Sequence, residues 1–195
     1  MEHKQEFIEI YNANIKREGA DKLLEYLLSS DFFTAPASTR FHLAEEGGLV
    51  EHSLNVYKRL KKLVEWEYGE NFEEHISAES IAICGLLHDL CKVDFYRIDY
   101  RNVKTPEGVW EKRPYYTIEE KLPYGHGEKS VYIINGFLRL TREEALAINW
   151  HMGGFDDRVR AGSYAIAGAY TMYPLCVFLS TADLMASYLD ESRVS

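Results

Sequence analysis

Leu86-Leu87-His88-Asp89-Leu90-Cys91-Lys92 sets an adjacent histidine and aspartate into an apolar helix. That helix is expected from about Ala78 to Lys92. Ile81-Ala82-Ile83-Cys84-Gly85-Leu86-Leu87 leaves it almost no polar face, the pattern of a helix buried nearly all round. A carboxylate is costly to bury alone, so Asp89 is expected to be paired or bound to a metal. Neighbours on a helix diverge by about 100°, yet His88 and Asp89 can converge on an ion lying beside it. Lys92 follows Asp89 by three residues and His88 by four, which returns its ammonium to the same side.

The flanking chain reads as helical, with one interruption. Residues 3 to 29 form one or two amphipathic helices broken near Gly19, and Pro36 falls in a loop leading to Gly47-Gly48. From Leu49 to about Trp66, Leu49, Val50, Val56, Tyr57, Leu60, Leu63 and Val64 share one arc. His52 sits at the edge of that arc and points inward. Between about Asp94 and Tyr124 the helical period disappears. Two aromatic and β-branched runs, joined by Thr105-Pro106-Glu107-Gly108, read as an inserted β-hairpin. Its aromatics Phe95, Tyr96, Tyr100, Trp110, Tyr115 and Tyr116 are expected to pack it on the helical core; a base-stacking pocket is the alternative. Helices resume over about Glu128–Leu138, from the capping box at Thr141-Arg142-Glu143-Glu144 to His151, and from Pro174 through Asp183. The expectation is an all-α helical bundle, one domain over residues 1–195, with the hairpin inserted at about 94–124.

Twenty-two basic and 31 acidic residues give a net charge of −9, and no basic run is present, which argues against long duplex nucleic acid as a partner. A small anionic substrate held by a metal remains compatible, as do short single strands. Cys84, Cys91 and Cys176 are odd in number and form no CxxC pattern, so they read as buried reduced thiols. Without a signal-like stretch in Met1-Glu2-His3-Lys4-Gln5-Glu6 or a long apolar span, a cytoplasmic location and no membrane partner are expected.

His52, His88, Asp89 and Asp183 would make a two-histidine, two-carboxylate metal site with positions open for water and substrate. Asp183 lies among Ala182, Ala186 and Ser187, small residues that permit close helix approach. His126, in Tyr124-Gly125-His126-Gly127-Glu128, and His151, near Gly153-Gly154, are placed for a cavity mouth. With a bridging Asp89 they could hold a second ion. Imidazole and carboxylate ligands suit iron, manganese, cobalt, nickel or zinc, and the lack of a thiolate argues against a structural zinc finger. His3 and His75 read as surface residues; Asp156-Asp157 reads as a solvated turn or the border of the site.

In this order and on helices, His52, His88-Asp89 and Asp183 resemble the HD-domain superfamily of metal-dependent phosphohydrolases. The added His126 and His151 resemble its binuclear subset, which includes cyclic-dinucleotide phosphodiesterases, certain HD nucleases and mixed-valent di-iron oxygenases. Gly47-Gly48-Leu49-Val50-Glu51-His52-Ser53-Leu54 is similar to the motif around the first ligand, and the likeness runs from about His42 to Asp190. The Gly-Tyr-Pro signature of the cyclic-dinucleotide enzymes is absent. The resemblance implies one or two divalent ions that ionise a water and bind a phosphoryl oxygen. Asp89 and Lys92 would be the catalytic residues, Lys92 stabilising the transferring group unless it only pairs with Asp89. His42 and Lys129 are further candidates for substrate phosphate, Lys129 because it falls in the first turn of a helix. The implied function is hydrolysis of a phosphomonoester or phosphodiester of a nucleotide or short oligonucleotide. The alternatives are a di-iron oxygenase acting on a small organic substrate and a non-catalytic nucleotide-binding module.

Overall fold

The computed structural model describes residues 2–192. Its helices are α1 (Glu2–Asn14), α2 (Ala20–Ser29), α3 (Gly48–Tyr68), α4 (Ala78–Leu87), α5 (His126–Asn135), α6 (Arg142–Asn149), α7 (Asp157–Arg160), α8 (Ala165–Met172) and α9 (Pro174–Met185). Between α4 and α5 stands one antiparallel hairpin of β1 (Tyr96–Lys104) and β2 (Trp110–Ile118). No single helix among the described residues is long and apolar enough to cross a membrane.

The bundle is organised around α3, which packs against α1, α4 and α9. Leu49, Leu54, Val56, Leu60 and Val64 carry its buried face, as the 3.6-residue period of the sequence requires. From Ile81 to Leu87 every residue of α4 is buried, so this helix forms the centre of the core. Gly85 makes the α3–α4 contact possible, since a Cβ there would lie 2.6 Å from the Tyr57 Cα. The two helices carrying His52 and His88 are thereby drawn together.

Helix starts follow local chemistry. The Ser77 hydroxyl accepts from the Ser80 N–H at α4, and Thr141 and Glu144 form the expected capping box at α6. The four-residue α7 and the separate α8 go beyond the expected elements. So does the end of α9, which widens into a π-helical turn at Ala186–Asp190.

Two expectations need correction. The first concerns α4, which ends at Leu87 rather than at Lys92; Leu90–Lys92 is a short 3₁₀ turn. The Cys91 N–H, which a continuing helix would direct to Leu87, is instead given to the Ser130 hydroxyl of α5 at 3.0 Å. Asp89 accordingly leaves helical geometry, at φ −103°, ψ 23°. The second concerns the hairpin, which does not pack on the core along its length. Nine-residue strands reach about 30 Å, and only their root meets the helices. Tyr100 and Trp110 are 63% and 67% exposed.

Candidate metal centre

Six side chains from five parts of the chain meet at one place. The α3 bundle face supplies His52, the end of α4 supplies His88 and Asp89, the start of α5 supplies His126, the turn after α6 supplies His151, and α9 supplies Asp183. Gly127 lets α5 seat its first turn against the end of α6, since a Cβ there would lie 2.3 Å from the Asn149 carbonyl oxygen. His126 and His151 thus come within 5.2 Å, ring centre to ring centre.

Asp89 stands between two groups of donors. Its Oδ2 faces His52 Nε2 at 3.5 Å and His88 Nε2 at 3.6 Å. Its Oδ1 faces His126 Nε2 at 2.8 Å and His151 Nε2 at 3.4 Å. On the first side, His52 Nε2 lies 3.2 Å from His88 Nε2 and 3.3 Å from Asp183 Oδ1. Atoms bound about 2.1 Å from a common ion stand roughly 3.0–3.4 Å apart, which the 3.2 and 3.3 Å spacings around His52 match, whereas His126 Nε2 is within hydrogen-bond distance of Asp89 Oδ1. Lys92 Nζ completes the surroundings, 2.6 Å from Asp89 Oδ2.

The imidazoles are oriented from behind. His88 Nδ1 contacts the Gly85 carbonyl at 3.0 Å and His151 Nδ1 the Ile148 carbonyl at 2.7 Å, so both rings turn Nε2 to the centre. His151 Nε2 is buried without a hydrogen-bond partner among the described residues. A buried nitrogen with no hydrogen bond, facing the Asp89 carboxylate at 3.4 Å amid other imidazoles, fits the role of a metal donor. His52 Nδ1 meets both oxygens of Glu191, at 3.0 and 3.1 Å. Asn55 Nδ2 donates to the same carboxylate at 3.0 Å.

Electrostatics divide these groups. Without an ion, burial opposes charge on His52, but Asp183 and Glu191 outweigh it and raise its pKa to about 10, so an ion bound at Nε2 would displace that proton. Burial alone dominates at His88, whose pKa falls to about 3, so this ring is neutral and has a lone pair for an ion. The Asp89 carboxyl is held well below its ordinary range: burial works against this, and Lys92 and the histidines prevail. Lys92 is buried yet raised, because Asp89 holds its proton.

A cavity of about 1320 Å³ opens onto the centre. Lys92, Tyr96, Arg160 and His42 reach it, as do Phe155 and Tyr188 at its edge. The family model for the HD domain matches residues 49–183, which contain all six donors. The chain belongs to the HD-domain family. No curated protein and no solved structure shows a significant match. HD domains bind divalent metals, and the clusters of this one could hold such an ion.

Several expectations for this HD domain are refined by the geometry. His151 is not at the cavity mouth: it is 1% exposed at the floor, where its backbone anchor draws it in. His42 does reach the site, its ring 5.1 Å from that of His52, and burial keeps it neutral with a pKa of about 4. Lys129 does not. It is buried beneath the hairpin root, where Nζ donates to Glu120 at 2.7 Å and lies over the Phe95 ring. His75 is exposed and stacks on Tyr68. Asp157 borders the cavity, while Asp156 caps α7 and holds Arg158.

Glu191, Asn55 and Arg160 were not anticipated. Asn55 had a legible signal, three residues after His52 on the same helix face. Glu191 had none, because only the π-helical turn after Met185 brings it back: its N–H reaches the Ala186 carbonyl at 3.1 Å. Cys91 is also near, its Sγ 3.4 Å from His126 Nε2, and with Asp89 and His126 it forms a further group that could hold an ion; burial raises its thiol pKa, so ligation would have to displace its proton.

Proposed function

We propose that this HD domain is a phosphohydrolase that holds two divalent ions across Asp89 and hydrolyses a phosphoester of a nucleotide or short oligonucleotide. The observation that carries this reading is the division of Asp89, one oxygen toward His52 and His88, the other toward His126 and His151. Asp183 would join the first group. When bound, the ions supply Lewis acidity that ionises a water near neutral pH and offsets charge on the phosphoryl group.

The chain's own residues do the rest. Glu191 and the carbonyls of Gly85 and Ile148 fix the faces that the imidazoles turn inward. Lys92, held charged by Asp89, lies where it can attract a phosphoryl oxygen, and Arg160 offers a second cation from the cavity wall. His42 is a neutral donor or acceptor at the same wall.

The test is twofold. Protein purified without chelator is assayed for metal per chain, and manganese-loaded protein is assayed for phosphate release across mononucleotides and short phosphodiesters. Two equivalents of metal and turnover abolished in Asp89→Ala support the reading. Oxygen consumption by the iron-loaded protein with a small organic substrate, and no phosphate release, replaces it with an oxygenase. Metal bound without either activity leaves a binding module.

A further inference from the structure

The β-hairpin carries two unlike faces. Its register runs from Tyr96↔Ile118 to Lys104↔Trp110, so alternation places Tyr96, Ile98, Tyr100, Asn102 and Lys104 on one face, opposite Ile118, Tyr116, Pro114, Lys112 and Trp110. On the other face the charged groups satisfy one another. Arg97 pairs with Asp99 at 3.8 Å, Arg113 with Glu111 at 3.5 Å, and Arg101 lies over the Tyr115 ring. The first face leaves its large side chains open to solvent: Ile98 is 54%, Tyr100 63%, Trp110 67% and Ile118 59% exposed. A two-stranded hairpin is marginal in water by itself, and large apolar side chains left open along one face, with Asn102 and Lys112 between Tyr100 and Trp110, mark an interaction surface.

Two further observations say what covers it. Tyr96 and Ile118, at the root of this face, line the metal cavity, so the face continues the cavity wall outward. In a chain of net charge −9, none of the ten residues on the face is acidic, and its far end carries Lys104 and Lys112. Glu45 and Glu46 lie near Tyr116, at the root only.

We propose that this face is a track for single-stranded nucleic acid, whose end enters the metal cavity while bases stack on Tyr100 and Trp110 and phosphates meet Lys104 and Lys112. The proposal rests on the phosphohydrolase reading and names its substrate class. Aromatic rings with interleaved cations bind single strands because each unpaired base offers a flat face; a duplex keeps those faces stacked inside.

The test is fluorescence anisotropy of the metal-loaded protein with labelled oligouridylate and oligothymidylate of about ten nucleotides, inside the range one strand-binding fold covers. Phosphorothioate linkages resist cleavage, so binding is read apart from turnover. The two oligonucleotides distinguish RNA from DNA, and a duplex of the same length serves as the contrast. Single strands are expected to bind and the duplex not. Tyr100→Ala and Trp110→Ala, both at exposed positions, are each expected to weaken binding by about tenfold. Lys104→Ala with Lys112→Ala should flatten the dependence of log K on log salt by about 0.7 for each phosphate that is no longer neutralised. Circular dichroism and thermal melting check that the variants fold.

No binding by the native protein, or binding unchanged in both ring variants, overturns the proposal. So does a dimer that Trp110→Ala dissociates, which would show a second copy covering the face. In either case metal-dependent turnover of a small phosphoester by the native protein persists. Loss of that turnover with strand binding intact would instead overturn the phosphohydrolase reading.

Discussion

Glu191 shows how much of a metal centre depends on a residue that is not one of its six donors. Both of its oxygens engage His52 Nδ1, and Asn55 donates to one of them. A carboxylate behind an imidazole fixes the ring and raises the basicity of the nitrogen turned to the ion. Glu191→Gln is therefore expected to lower manganese or zinc affinity by about 10–100-fold, measured by titration calorimetry on protein that circular dichroism shows to be folded. Unchanged affinity would relegate Glu191 to an anchor for the chain end. The donors themselves were legible because each is a polar residue set in an apolar or glycine-flanked context. His88 and Asp89 stand out after seven buried residues of α4. Glu191 sits in polar surroundings past Asp190, where nothing in the local sequence distinguishes it from a solvated side chain. Lys129 misled in the opposite sense: its position in the first turn of α5 suggested an anion, but the carboxylate it meets is Glu120 of the same chain.

Among the elements, α4 is the one in which sequence and structure part most usefully. Hydrophobic periodicity carries the helix to Lys92, since Leu90 and Cys91 are as apolar as what precedes them. The helix stops because Ser130, 39 residues downstream, takes the Cys91 N–H. Tertiary partners of this kind leave no mark in a local window. The early stop lets Asp89 swing out of helical register and face both donor groups. Ser130→Ala removes the acceptor and leaves a buried N–H, which costs about 1–3 kcal/mol. Denaturant titration should show that destabilisation, and the metal stoichiometry should fall with it if the turn relaxes toward a continuous helix. Gly85→Ala tests the neighbouring contact. Its Cβ would meet the Tyr57 backbone, which has no flexible end to move, so overpacking should cost about 1–3 kcal/mol. The hairpin, by contrast, was legible as strands and a turn, yet its exposure was not, because strand pattern alone does not say what lies beneath.

At the scale of the molecule, the bundle is tied together away from the metal centre by one buried ionic group. Glu144, at the start of α6 and 0% exposed, accepts from Arg17 at 2.7 and 2.9 Å and from the Ser80 hydroxyl at 2.7 Å. Arg17 lies between α1 and α2 and also meets Glu79 of α4 at 3.3 Å. Four helices are joined through two side chains. Burial works to raise the Glu144 pKa, but Arg17, the Thr141 N–H and Ser80 outweigh it and lower it below the ordinary 4.5. A carboxylate whose folded pKa is depressed binds its proton more readily when unfolded. Its contribution is then complete above about pH 4.5 and is lost as pH falls through the lower folded value. Urea titrations of the metal-free protein from neutral to acid pH should show stability declining below pH 4.5, with a shallower decline in Glu144→Gln. Arg17→Met should be the costlier change at neutral pH, about 3 kcal/mol, because it strands a buried carboxylate that Ser80 and Thr141 only partly satisfy. Combining it with Glu144→Gln removes the stranded charge and should recover much of that stability. Additive effects in the double variant would mean that Arg17 acts through its packing, and that the charges join the helices no more tightly than apolar contact would.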